Sequence, residues 1–273
     1  MRVALVGAGN LATNLGLALQ VAGHEIVQVY SRTEESAVTL GERLGCRYTC
    51  VPEEVTYDAE LYVFAVKDSA LSALIHRLCP SRQSSRVLFV HTAGSMPLSV
   101  FTEAGVERSG VFYPMQTFTK SRPVAFKHIP IFIECNRGED LSLLRSVADG
   151  LSSRVYELSS EKRRSLHLAA VFACNFTNHC YARAEQILRE QDIPFDVMLP
   201  LIDETAAKVH ALSPRLAQTG PAVRYDRNVM DRHLALLMEN RQAAQEYELL
   251  SLGIHDLSAY GEVGEVKYPK EEK

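Results

Sequence analysis

The chain begins with a short apolar run, Val3-Ala4-Leu5-Val6, that passes directly into Gly7-Ala8-Gly9-Asn10-Leu11-Ala12. No other stretch narrows the fold as sharply. Four apolar residues stopped by glycine read as a buried strand. Leu11 to Ala22, with Leu11, Leu15, Ala18 and Leu19 along one face, reads as a helix. Between them the spacing G-x-G-x-x-G/A gives each small residue a task. Gly7 allows the tight turn, Gly9 lacks a side chain that would block a pyrophosphate, and Ala12 lets the helix pack on the strand. The helix N-terminus then offers unpaired N–H groups and a positive dipole end to phosphate. Gly7, Ala8, Gly9, Asn10 and Leu11 are therefore expected to cradle a dinucleotide.

The next 150 residues repeat the strand–helix alternation. Ile26 to Tyr30, Leu61 to Val66, Val87 to His91, Val111 to Tyr113 and Ile129 to Glu134 read as strands, Arg154 to Leu158 as a last one, and Glu34 to Leu44 as a helix. Such alternation predicts an α/β fold with a doubly wound parallel sheet. After Ser160 the texture becomes helical. Lys162 to Glu190 reads as one long helix, Leu201 to Leu212 and Val229 to Leu252 as two more, with a loop at Gly220-Pro221. The expected organisation is a nucleotide-binding domain over 1–159, a smaller all-helical substrate and dimerisation domain over 160–261, and a disordered tail over 262–273. At about 150 residues per domain, a chain of 273 residues fits two.

The residues after the second strand choose the cofactor. An NAD site usually carries an acid there to accept the ribose hydroxyls. This chain has Ser31, Arg32 and Thr33 instead. Arg32 can form charge-assisted hydrogen bonds to a ribose phosphate, and the two hydroxyls can add donors, which favours NADP. The alternative is a solvent-facing arginine in a loop. Ala65, Val66 and Lys67 follow the Leu61–Val66 strand, and Thr92, Ala93 and Gly94 follow Val87–His91. Small residues at such strand ends suit the nicotinamide half.

The bulk chemistry excludes several partners. Lys plus Arg is 29 against 33 for Asp plus Glu, a net charge of −4, so a dedicated nucleic-acid surface is not expected. Asn10, Thr13, Asn14 and Gln20 interrupt the uncharged run over 3–24, so neither a secretion signal nor a membrane span is expected there. The six cysteines make no C-x-x-C pair and read as free thiols of a reducing cytoplasm. The histidines are too dispersed for a metal site.

With these residues on the page, the chain resembles the superfamily that holds pyrroline-5-carboxylate reductase, ketopantoate reductase and 6-phosphogluconate dehydrogenase. More closely it is similar to the family that joins a Rossmann-like domain to a DUF2520 domain, whose members are described as NADP oxidoreductases. The matching stretches are Gly7 to Ala12, His91-Thr92-Ala93-Gly94-Ser95, Tyr113 to Phe118, His167 to Phe176 and Thr219-Gly220-Pro221. The resemblance implies a Rossmann-type sheet followed by a helical domain and an oxidoreductase activity. One departure matters. Several superfamily dehydrogenases carry a catalytic lysine four residues before an asparagine on the first long helix of the second domain. Counted back from Asn175, that position is Val171, which transfers no proton.

Other groups must then be weighed. His167 and Asn175 lie eight residues apart, about 80° around an ideal helix, so both can border one cleft. His167 would be a general acid near neutral pH and Asn175 would orient a carbonyl or amide. Equally, the two can be a structural pair in a domain interface. Asn178 and His179 follow on the same helix with less to recommend them. Gln116 either donates to nicotinamide or substrate or braces its loop. Thr219, Gly220 and Arg224 are candidates for substrate binding, with Arg224 pairing a carboxylate or else Asp226. His233 lies on the helix that follows. The expected reaction is hydride transfer to or from a small carbonyl, imine or alcohol in the cleft between the domains, floored by Thr92 to Ser95. The competing readings are an NADP(H)-binding sensor without turnover and a deazaflavin enzyme. Apolar residues on several faces of Leu166 to Phe172 point to a homodimer.

Overall fold

A computed structural model describes residues 1–259, and the tail expected over 262–273 lies outside them. Two compact units divide the chain, Met1–Phe176 and the residues from Thr177 on.

The first unit is built on one sheet of eight strands. They are β1 (Arg2–Val6), β2 (Glu25–Tyr30), β3 (Arg47–Thr49), β4 (Leu61–Phe64), β5 (Leu88–His91), β6 (Ser109–Pro114), β7 (Ile131–Cys135) and β8 (Val155–Glu157). The spatial order is β3-β2-β1-β4-β5-β6-β7-β8. The first six run parallel, in the order of a doubly wound nucleotide-binding sheet, with its switch point between β1 and β4. Its helices are α1 (Asn10–Val21), α2 (Glu34–Leu44), α3 (Asp68–Leu78), the single turn α4 (Ser99–Thr102), α5 (Gly138–Asp149) and α6 (Ser160–Ala170).

The doubly wound parallel sheet expected from the alternation forms, with one antiparallel pair, β7 against β6. Only a short 3-10 turn at Phe126–His128 lies between them. Without a crossover helix the chain cannot return to the other end of the sheet, so the next strand pairs in the opposite sense.

The central strands β1, β4, β5 and β6 bury both faces. In β1, Val3 and Leu5 join Leu15, Leu19, Leu40, Leu44, Leu144 and Val147, so α1, α2 and α5 cover that side. Ala4 and Val6 point the other way, toward Leu71, Ile75, Leu78 and Phe101 of α3 and α4. Each such leucine or phenylalanine contributes roughly 1.5–3 kcal/mol on burial. That two-sided burial explains why these strands read as continuous apolar runs rather than alternating ones.

Ser159 caps α6 by accepting from the Lys162 N–H. The long helix expected from Lys162 to Glu190 forms, but not as a regular α-helix. A π segment, Val171–Phe176, separates α6 from α7 (Thr177–Arg189). The second unit continues with α8 (Leu199–Ala211), the short α9 (Pro214–Ala217), α10 (Arg227–Leu236) and α11 (Arg241–Ala259). The single helix expected over Val229–Leu252 is thus corrected to two. The Asn240 side chain accepts the Ala243 N–H and starts a new helix there. Among the described residues, no helix is long and apolar enough to cross a membrane, and no cluster of metal-ligating side chains forms.

Candidate active site

The glycine turn after β1 sits at the switch point. Gly7 adopts φ +124°, and a Cβ there would lie 2.2 Å from the Ala65 carbonyl oxygen. Only glycine meets both demands, so the chain after β1 and the chain after β4 approach closely at this point. Gly9 differs: a Cβ on it would meet nothing within 4 Å. The space above the turn is open, as a bound pyrophosphate requires. The first intrahelical bond of α1 runs from Thr13 N–H to Gly9 C=O, so the N–H groups of Asn10, Leu11 and Ala12 lie ahead of any intrahelical acceptor. The first turn of α1 carries no acid, leaving its positive end to an external anion. Ala12 is fully buried, and Ala8 packs in the same core. The residues present fit a dinucleotide.

At the end of β2, Ser31 is buried with its N–H on Thr49 C=O. Arg32 and Thr33 are exposed ahead of α2. Glu34 and Glu35 occupy the first turn of α2. Lys67 is exposed at the start of α3, and Ala65 and Val66 are half-buried. Thr92 is buried, and its hydroxyl donates to Phe64 C=O at 3.2 Å, tying the ends of β4 and β5 together. Ser95 donates to Asp68, joining the loops after those two strands.

Gly94 has a distinct reason to be glycine. A Cβ on it would lie 2.5 Å from Nδ1 of His167. The imidazole is therefore seated on the loop after β5, at the carboxyl edge that also carries the nucleotide turn. On its other side, Nδ1 lies 3.1 Å from the Tyr113 hydroxyl, with the rings edge-on at 78°. One turn earlier on α6, the fully buried Arg163 fixes the helix against the sheet. Its guanidinium donates to Glu134 and to the Met96 carbonyl.

A cavity of about 560 Å³ opens beside this histidine. It is lined by Tyr113, Gln116, His167 and Asn175 among others, all from the first unit. His167 and Asn175, expected to border one cleft, and Gln116, named apart from them, thus line one cavity. The π segment contributes to this. Its turns are wider than those of an α-helix, and Asn175 lies within it. His167 from α6 and Asn175 from the π segment both line the cavity. Ala170 and Val171, five and four residues before Asn175, also line the cavity, so no lysine reaches it from that turn. The titratable side chains of the lining are Tyr113, His167 and Cys174.

The sequence places Tyr113 at a strand end and at the head of a family-matching stretch but gives it no site role. Its signal was present in Tyr113-Pro114-Met115-Gln116, a polar-tipped aromatic at a strand's carboxyl end, but its partner 54 residues away was not foreseeable. Burial raises its pKa, partly offset by the Arg163 charge, so it stands as a neutral phenol.

Thr219, Gly220 and Arg224 belong to the second unit, in a loop where Gly220 has φ +109° and Tyr225 φ +52°. The alternative pairing of Arg224 with Asp226 gives way to a cap. The Asp226 side chain accepts the Val229 N–H at the start of α10. His233 faces the Tyr247 hydroxyl at 2.9 Å. Asn178 is exposed, and His179 joins Arg183 on Glu246.

Comparison with known proteins agrees with this geometry. Residues 2–94 match the family described as NADP oxidoreductase coenzyme F420-dependent, and residues 129–254 match the domain of unknown function DUF2520. An assigned NADP oxidoreductase of Bacteroides fragilis is 54% identical, over 93% of this chain and 98% of that one, with a TM-score of 0.90. A Thermotoga maritima protein shares the fold at 19% identity, over 94% of this chain and 100% of that one, with a TM-score of 0.76. An imine reductase of Myxococcus stipitatus, solved with NADP+, shares it at 16% identity, 92% and 93% coverage and a TM-score of 0.69. No curated protein matches the chain. A nucleotide turn at the switch point, a DUF2520 region behind it and a relative alike over nearly the whole length lead to one conclusion: the chain belongs to the NADP oxidoreductase family that joins a Rossmann domain to a DUF2520 domain.

Proposed function

We propose that the protein transfers a hydride between NADP(H), held at the Gly7–Leu11 turn, and a small carbonyl, imine or alcohol in the cavity beside His167. The observation that carries this reading is the meeting of His167, Asn175 and Gln116 around one cavity, with the imidazole on the Gly94 loop. When bound, NADPH supplies the hydride and the reducing electrons. The chain supplies the rest. Gln116 and Asn175 present amide groups that can orient a carbonyl or imine. As hydride reaches the substrate carbon, the π pair moves to oxygen or nitrogen, which takes the Nε2 proton of a His167 imidazolium. The ring is left neutral with its remaining proton on Nδ1, and water restores the other. With no lysine available, His167 is the cavity side chain placed to transfer the proton. Arg32, with Ser31 and Thr33, selects the ribose phosphate.

Two measurements test the reading. The native protein is expected to bind NADPH more tightly than NADH, and Arg32→Asp to lose that preference while still binding NADH. Equal native affinities for the two would remove Arg32 from the site. In a screen of carbonyls and imines with NADPH, His167→Ala is expected to lower turnover by roughly 10²–10⁴ with little change in NADPH affinity. Unaltered turnover in that variant would pass the proton to water and leave Asn175 as the better candidate.

The same reading extends to assembly and location. Leu168, Phe172 and Phe176 lie exposed on the first unit, and Leu201, Leu216 and Leu249 on the second. A single chain leaves much apolar surface on its helices, and a two-fold homodimer is the commonest way to cover it. All six cysteines are unpaired thiols, which suits the cytoplasm.

A further inference from the structure

We propose that Tyr113 is a positioning residue for this reaction: its phenol oxygen accepts the Nδ1–H of His167 and thereby reserves Nε2 for the proton exchanged with substrate. The inference rests on the assignment of His167 as the acid and adds the group that makes it work from one defined atom.

The imidazole is held from several directions. Gly94 leaves just enough room for it against the loop after β5. Arg163, four residues earlier, sets the register of α6 through Glu134 and Met96. Tyr113 reaches Nδ1 from the end of β6, its own ring steadied by Phe132 at 6.4 Å. Among the described residues Nε2 has no hydrogen-bond partner, so it is the nitrogen left for a ligand in the cavity that His167 lines.

The chemistry then requires a particular tautomer. A neutral imidazole carries one proton. If it sits on Nε2, that atom cannot accept another, and the ring cannot recharge where the substrate binds. An acid that gives and regains its proton at Nε2 must keep the other on Nδ1, and an Nδ1–H turned away from solvent toward Tyr113 needs an acceptor there. The Tyr113 oxygen, 3.1 Å away, is that acceptor. Its O–H is free to turn toward the cavity that the same residue lines. Carboxylates hold the histidines of hydrolase triads in the same way. A phenol does so without a negative charge.

Nitrogen-15 NMR of the full chain, labelled at histidine and free of cofactor and substrate, tests the inference. The neutral form of His167 in the native protein is expected to show a protonated Nδ1 and an unprotonated Nε2. Tyr113→Phe, with a thermal melt to establish that it folds, is expected to lose that preference and show both tautomers. A native spectrum with the proton on Nε2 overturns the proposal even if the variant does not fold. Ring-nitrogen shifts in a folded Tyr113→Phe equal to the native ones also overturn it. Loss of turnover in His167→Ala reports on the acid assignment alone, so the two ideas fail separately.

Discussion

At the residue scale, the loop that seats His167 depends on a second histidine. His91 ends β5, is fully buried and stacks on Phe101. Its Nδ1 accepts the Ala93 N–H at 3.2 Å, and its Nε2 lies 3.3 Å from the Pro97 carbonyl, so a neutral ring with the proton on Nε2 satisfies both. Burial, and then the Arg163 charge, push its pKa down to about 3 from 6.5. The unfolded chain therefore binds a proton below 6.5 that the folded chain refuses until about pH 3. The contribution is complete above pH 6.5 and declines steadily as pH falls toward 3. Denaturant midpoints are expected to drop on acidification from pH 7 to 5, and less steeply in His91→Gln. Equal slopes for the two proteins would assign the acid sensitivity to other groups. The motif His91-Thr92-Ala93-Gly94-Ser95 drew attention as a cofactor loop. Its histidine braces the turn from within, and its glycine makes room for an imidazole. Neither task is visible in a string of residues, because both partners arrive through space.

At the scale of elements, the long helix shows what periodicity reads well and what it misses. Apolar recurrence from Leu166 to Thr177 correctly implies continuous helix. The π segment at 171–176 leaves that recurrence almost unchanged, yet it rotates every later side chain relative to every earlier one. The break between α10 and α11 was hidden for a related reason. Leu236, Leu237 and Met238 continue an apolar pattern across a turn that Asn240 ends by capping. Within the second unit, α7 is fastened to α11 by Arg183, whose guanidinium meets both oxygens of Glu246 at 2.7 and 2.9 Å, with His179 at 3.2 Å. The Arg183 hydrogen bonds hold the Glu246 pKa down to about 2 from 4.5. A carboxylate depressed on folding stabilises above its unfolded value, and that support is lost as pH falls from about 4.5 toward 2. Glu246→Gln is expected to melt lower than the native protein at pH 7, with the gap closing by pH 2.5. A gap unchanged across that range would show that the pairing contributes packing rather than charge.

At the scale of the whole molecule, exposed apolar side chains such as Phe172, Leu216 and Leu249 call for a partner. Light scattering at micromolar concentration is expected to give the mass of two chains, and a one-chain mass would remove the homodimer from the reading. The nucleotide half of the protein follows from sequence alone, because its physics is local. Gly7 must adopt a positive φ, Gly9 must leave space, and strand and helix are neighbours in the chain. The order of strands is equally constrained, since short connections and two-sided burial leave few topologies open. What tertiary structure alone decided is the constellation around the cavity. Tyr113 and His167 are 54 residues apart, Gly94 comes from the loop after β5 and Glu134 from β7, and no periodicity links them. They meet because the buried Arg163 ties α6 to Glu134 and the Met96 carbonyl, and that docking is the outcome of packing, which only the folded chain can settle.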